Sequence, residues 1–483
     1  MATVFHPPPN RRHAAGRPSQ ASLWLSMLLV LLGVIGSGCK TYQQQNLSAS
    51  QHWQQGRFSE AVQEYNDKAK KSSDGKDALI WRLEQATALR SSGQLAESNA
   101  AFDAAEALIE RYEKAARVRI GQESLAMVSN PANLAYEGRA YDKIMVNTYK
   151  ALNYLQLHQP DKARVELIRA YNRQQDAVQE NRRRLERAGA GSAPEQQQAA
   201  RAQQDPRFQA QLASTYNDLN RMKVYADYVN PFTVFLDGLF FMYQATGGAD
   251  LERARKSLER TASFAASNPY IRQDQATLEQ MIRGQRLAPI TYVIFETGLA
   301  PIREQTRIDI PIIVTDVSYI GMAFPKLTPQ YTYIPQLQVH ASNTTATTSL
   351  VASMDSIIGL DFKNELPGVI TKTLIAAAAK ATASYAINHS SYQADDALGW
   401  IARLVTAGYQ AAVNIADLRT WTTLPKELQY CRVPTPPDRK IELIVPPASQ
   451  RILVNLLPGT VNMVYVKSVG PNSPTLVSQF LLK

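Results

Sequence analysis

Four times before residue 260, a turn residue is followed at the second, fifth and ninth positions by apolar or small side chains. The copies are Gly56-Phe58-Ala61-Tyr65, Gly93-Leu95-Ser98-Phe102, His158-Pro160-Ala163-Leu167 and Ala249-Leu251-Ala254-Leu258; the second and third continue to Ala105 and Ala170. Steps of three and four put each set on one helix face, with small residues where a neighbouring helix must come close. A preceding helix is visible before the second copy as Trp81, Leu83, Ala86 and Leu89, and Asn268-Pro269 reads as the stop of the fourth unit. From about Gln43 to Arg286 the chain therefore has to bury helix against helix. The copies start 37, 65 and 91 residues apart, so only the first interval is near a regular short repeat.

Glycine at the turn, alanine at the close approach and an aromatic plug resemble the second helix of a tetratricopeptide repeat, whose period is about 34 residues; a generic helical bundle is the alternative. The expected class is multidomain α + β. Residues 39–285 would form tetratricopeptide-like helical repeats, and 286–483 a β-rich, sandwich-like domain with a helical insert at 361–418. After Arg286 the texture becomes β-branched and aromatic, at Ile290–Phe295, Ile308–Val314, Tyr331–Val339 and Thr347–Val351. It returns at Ile441–Val445, Ile452–Leu456, Val461–Val466 and Leu476–Leu482, with Pro and Gly turns between, which points to an antiparallel sandwich. In the insert, Gly368–Ile387 holds Ala376–Ala379, and a second helix is expected over Asp395–Leu418. The pair either packs on the sheets or forms an oligomerising or membrane-inserting hairpin. Residues 180–205, with Arg182–Arg184 and Gln196–Gln198, read as a solvated linker or the tip of a helix.

The N-terminus carries the address. Arg11, Arg12 and Arg17 precede an apolar run from Leu23 to Ile35, then Gly36-Ser37-Gly38-Cys39. Positive start, short apolar core and small residues form a secretory signal over 1–38. The run is too short for a transmembrane helix, which needs about 20 apolar residues. A cysteine after the small residues is the pattern of a bacterial lipoprotein, although Gly36 stands where Leu is usual. Cys39 would then become the lipidated first residue, carrying palmitate-like acyl chains that insert at about 0.8 kcal/mol per methylene. Lys40 follows instead of the Asp that marks inner-membrane retention, so the outer membrane facing the periplasm is expected. The chain holds two cysteines, and lipidation of Cys39 leaves Cys431 as a buried, inert thiol. Loss of three arginines with the signal takes the net charge from +10 to +7, which selects no particular partner.

One helix stripe suggests binding. Lys143, Asn147, Lys150 and Tyr154 share a face, and a Lys/Asn stripe can clamp a carboxylate such as a peptide C-terminus; a plain solvated face is the other reading. Chemistry is sparse. None of the histidines (His6, His13, His52, His158, His340, His389) has metal-ligand spacing, and no nucleophile elbow, P-loop or dinucleotide fingerprint occurs. A triad using His340 or His389 would have to assemble from distant positions, and Asp395-Asp396 reads as a helix start. No catalytic residue, metal or cofactor is expected.

Several strings together resemble a family of tetratricopeptide-repeat-containing lipoproteins of Gram-negative bacteria. They are Tyr136-Glu137-Gly138 with Tyr149-Lys150-Ala151-Leu152-Asn153-Tyr154, and Asn230-Pro231-Phe232 with Leu236-Asp237-Gly238-Leu239. In the β half they are Glu296-Thr297-Gly298-Leu299-Ala300-Pro301, Arg307-Ile308-Asp309-Ile310-Pro311 and Leu418-Arg419-Thr420-Trp421-Thr422-Thr423-Leu424-Pro425. That family's association with lipoprotein activators of penicillin-binding proteins implies a role in envelope assembly. The resulting expectation is a non-enzymatic outer-membrane scaffold that binds a protein or peptide partner in the periplasm, touches the membrane through Cys39 and binds no nucleic acid. An oligomeric component of an export complex is the alternative, and an enzyme acting on envelope glycan or peptide the third reading.

Overall fold

A left-handed residue closes three successive helix pairs in the same way. In the computed structural model, α1 (Tyr42–Gln54) and α2 (Phe58–Lys71), α3 (Ala78–Ser91) and α4 (Leu95–Val118), and α5 (Ala140–Gln156) and α6 (Pro160–Ala188) are each joined by three residues. Gly56, Gly93 and His158 sit at φ of 72°, 76° and 56°. Each donates its N–H three residues back, to Trp53, Arg90 and Leu155, while the next residue donates five back, to His52, Leu89 and Tyr154. This cap satisfies carbonyls that the helix end would leave orphaned. The turn residues of the first three sequence copies are therefore helix-ending caps, and the third works without glycine.

The structure describes residues 41–118, 131–188, 194–221, 225, 229–314, 317–391, 416–446 and 450–483. The expected signal 1–38, Cys39, residues 189–193 of the polar stretch and residues 392–415 of the expected insert lie outside them. The chain divides into a unit of residues 1–45 and a unit of residues 46–483; of the first, the described part is the approach to and start of α1. In the second unit α6 runs on to Ala188 and α7 (Pro194–Gln203) follows, so the polar stretch is helical on both sides of 189–193. Then come α8 (Pro206–Thr215), α9 (Asn217–Arg221), α10 (Pro231–Tyr243), α11 (Gly248–Phe264) and α12 (Pro269–Ile282). Asn268-Pro269 starts α12 instead of merely stopping the fourth unit, because proline suits the first helical position and the Asn268 side chain accepts the Tyr270 N–H.

Eleven described strands form three sheets. They are β1 (Ile290–Thr297), β2 (Ile302–Val314), β3 (Val317–Thr328), β4 (Gln338–Ala341), β5 (Thr344–Thr347), β6 (Ser349–Ser353), β7 (Glu427–Pro434), β8 (Lys440–Val445), β9 (Gln450–Asn455), β10 (Val461–Ser468) and β11 (Leu476–Leu481). The largest sheet runs β11-β10-β1-β7-β6, a second β5-β4-β8-β9, and β2-β3 is a long hairpin. The fold is thus mixed α/β, with helices in the N-terminal half and strands toward the C-terminus. The expected antiparallel order holds except at the centre, where β1 and β10 pair in parallel from Ile290↔Val461 to Thr297↔Ser468. Strands far apart in sequence need no hairpin, so nothing local forbids that direction. Every residue of β1 is buried, which explains its continuous apolar run.

One face of the large sheet (Val293, Phe295, Cys431, Val433, Val464, Val466) shares a buried cluster with Val339, Leu443, Val445 and Val454 of the four-stranded sheet. Its other face meets the helices. The helix within the β half, α13 (Met354–Ser391), begins seven residues before the expected insert and carries Pro367 inside it. Among the described residues no helix is long and apolar enough to cross a membrane. The left-handed turn makes a direct test: His158→Gly should raise stability by about 1 kcal/mol, since glycine avoids the Cβ cost at φ of 56°. Urea unfolding measures it, and an unchanged midpoint would contradict the cap description.

Candidate interaction interface

The stripe expected on α5 faces carboxylates, and the chain supplies them. Lys150 is 1% exposed. Its Nζ lies 2.8 Å from Asp103 and 3.0 Å from Glu166, and it also pairs with Glu106. Asn147 Nδ2 donates to Glu106 at 2.6 Å and to Glu166 at 2.8 Å. Lys143 pairs at 2.9 Å with Glu113, which Arg173 also holds. Tyr154 has the Lys162 ammonium over its ring, and burial together with the charges of Asp103, Glu166 and Glu106 raises its hydroxyl against the pull of Lys150. Burial alone would lower the Lys150 ammonium and raise the Glu113 carboxyl. The surrounding opposite charges win in both cases, so Lys150 is pushed up and Glu113 down. Asp103, with 59% of its side chain exposed, is the most open of the three acids around Lys150.

A non-helical segment of the same chain, residues 416–426 with a turn at Thr422-Thr423, lies between helices and sheet. Glu84 of α3, fully buried, accepts the Thr422 N–H at 2.6 Å, the Thr422 hydroxyl at 2.7 Å and the Thr423 N–H at 3.1 Å. Three donors replace the water that a buried carboxylate loses. The Trp421 indole lies against Phe102 and Tyr149, with ring centroids 6.0 Å away in each case, and its N–H reaches Thr87 and Thr423 at 3.0 Å. Arg419 is held by Asp417 at 2.8 Å and Asp77 at 3.1 Å, and it donates to the Leu134 carbonyl. The segment then passes into β7, where Lys426 N–H bonds the Thr297 carbonyl at the end of β1.

Two further buried charge groups line the helix-facing side of the large sheet. Glu296 of β1 accepts from Lys467 at 2.6 Å, from Tyr149 of α5 at 3.1 Å and from Tyr465. Burial would raise its carboxyl, but the Lys467 ammonium and these donors hold it below the ordinary value. Arg90 of α3 lies over the rings of Tyr465 and Tyr149, 4.9 and 5.3 Å from their centroids, and bonds Asn153 at 2.5 Å. Farther along, Asp274 of α12 accepts from Tyr292 and Tyr430 at 2.6 Å and from Arg432 at 2.5 Å. These groups join elements far apart in sequence.

The remaining chemical candidates stay dispersed. His340 lies in β4, 4.0 Å from Glu442, and His52 pairs with Glu64 at 3.2 Å. His158 forms a turn. The His389 side chain, His6, His13 and Asp395-Asp396 fall outside the described residues. Cys431 is fully buried on β7, and burial pushes its thiol up, as expected for an inert thiol. Among the described residues no group of three or more His, Cys, Asp or Glu side chains is arranged to hold a metal ion. Sequence reasoning missed Glu84, Arg90, Glu296 and Asp274 as buried charge centres. Glu296 alone stands out locally, as the charged residue of an otherwise apolar strand; Glu84, Arg90 and Asp274 lie in helices that carry other charged residues. Comparison with known protein families, with curated proteins and with solved structures finds no match to this chain.

Two outcomes test this layer. Lys150→Ala leaves Asp103, Glu106 and Glu166 facing one another and should cost about 2–4 kcal/mol near pH 7. Urea unfolding of the variant and the parent near pH 7 checks it. Trp421→Ala should cost about 3–5 kcal/mol, read as a lower midpoint for helical and tertiary signals together. A loss under 1 kcal/mol would show that the segment is merely lying on the helices.

Proposed function

We propose that this chain is a lipid-anchored, non-enzymatic scaffold at the periplasmic face of the outer membrane, where its helical hairpins bind a protein or peptide partner in envelope biogenesis. In this reading the hairpins are tetratricopeptide-like, the two facing sheets are sandwich-like, and the partner belongs to peptidoglycan synthesis. One observation carries it most: α3, α4 and α5 already seat a non-helical segment, 416–426, by accepting its backbone N–H groups and boxing its tryptophan. A helical stack that seats a piece of irregular chain in this way leaves other helix faces for a partner. On α6, Val165, Ile168 and Tyr171 are exposed at one-turn spacing, and exposed Asp103 on α4 sits over Lys150. Exposed apolar side chains on one helix face are a common feature of contact surfaces.

The anchor supplies the location. A diacylated and N-acylated Cys39 binds a bilayer firmly, so Cys39→Ala should move the protein from the membrane fraction to the soluble fraction. Photo-crosslinking from Ile168 in intact envelopes tests the scaffold. The expected product is a discrete adduct with a peptidoglycan synthase or its activator. Adducts only between copies of this chain would favour an oligomeric export component instead, and a Cys39→Ala protein still sedimenting with membranes would contradict the anchor.

A further inference from the structure

At the start of α5 a buried carboxylate lacks a cation of its own. Asp142 is 0% exposed. Its Oδ2 accepts the Tyr136 hydroxyl at 2.5 Å and the Arg139 N–H at 2.8 Å, while Oδ1 has no hydrogen-bond partner among the described residues. The neighbouring Arg139 guanidinium turns away from it, toward Glu365 and Asp361 of α13. Arg303 of β2 also bonds Glu365, at 2.7 Å. From the 416–426 segment, Arg419 is taken by Asp417 and by Asp77, just before α3. Tyr141, beside Asp142, meets the Thr420 hydroxyl.

The nearby guanidinium groups are engaged elsewhere: Arg139 and Arg303 bond Glu365, and Arg419 bonds Asp77 and Asp417. The two hydrogen-bond donors to Asp142 are a neutral hydroxyl and a backbone amide. Burying an ionised carboxylate costs far more than burying the neutral acid, so that group should take the proton first.

We propose that Asp142 is a proton-binding group that makes the junction of α5 with α13 pH-sensitive, closed when its carboxyl is protonated and loosened when it is ionised. In agreement, burial pushes the carboxyl from its ordinary 3.8 up to about 6, with Asp361 adding to the rise and the Arg139 N–H, the Tyr136 hydroxyl and the Arg139 charge opposing it. The folded state thus binds this proton more tightly than the open state does. The group's contribution to stability falls as pH rises from about 4 to about 6 and is constant outside that window. Other carboxylates shift in both directions, Asp274 and Asp355 up and Glu113 and Asp417 down, so a local readout is needed.

Hydrogen–deuterium exchange of the peptide spanning 136–146, measured on the full chain from pH 4.5 to 7 and corrected for intrinsic exchange, supplies it. The opening constant of the parent protein should rise across this range relative to Asp142→Asn by about thirtyfold, at ten per pH unit from 4.5 to about 6. Asp142→Asn keeps the acceptor for Tyr136 and Arg139 but cannot ionise, so its profile should stay flat. Tyr136→Phe removes a donor that favours the ionised form and should move the midpoint to higher pH. Matching pH profiles for the parent and Asp142→Asn would overturn the proposal. Should Asp142→Asn fail to fold, a Tyr136→Phe midpoint that is unmoved or lowered would overturn it equally.

Discussion

The seating of residues 416–426 against α3, α4 and α5 is the constraint on which the rest depends. Glu84 is a carboxylate with no exposure, tolerable only because Thr422 and Thr423 bring three donors to it. Those donors belong to the stretch that becomes β7, the strand beside β1 at the centre of the large sheet. A helix at residue 84 therefore sets where a strand at residue 427 begins. Trp421 makes the seat selective, since its indole needs both the aromatic walls and a hydroxyl acceptor at one depth.

The same logic extends along the face of the sheet that meets the helices. Glu296–Lys467 and Asp274–Arg432 are buried pairs, each completed by tyrosine hydroxyls from other elements. Buried ion pairs add little net stability compared with well-packed apolar groups, because desolvation offsets much of the attraction. What they penalise is misassembly. A slip of one residue in β1 would carry Glu296 to the opposite face, into the apolar cluster around Phe295 and Val466. The helical layer and the sheet are thus specified together, through complementary polar groups as well as apolar area.

What was legible in the chain divides along physical lines. Turn residues act over four or five positions, so Gly56, Gly93 and even His158 marked helix boundaries from local pattern alone. Period-two and apolar runs likewise marked β1, β8, β9, β10 and β11 closely. The Lys143–Tyr154 face was visible as a helical stripe, but the burial of Asn147 and Lys150 on it was not. Periodicity says nothing of what packs on a face, however, and Asp103, Glu106 and Glu166 come from α4 and α6. The string around Trp421 stood out in the sequence, yet its burial depends on partners more than 300 residues away. The parallel pairing of β1 with β10 was hidden for the same reason: no local residue encodes the direction of a distant strand.

The central claim is that helices and sheet form one cooperative body joined through this segment. Native-state hydrogen exchange along a urea series tests it most directly, by comparing the most protected amides of α3 and α5 with those of β1 and β10. The account predicts that they merge into one opening, with a common free energy and a common urea dependence. Helical amides that open at a distinctly lower free energy while β1 and β10 stay protected would contradict it.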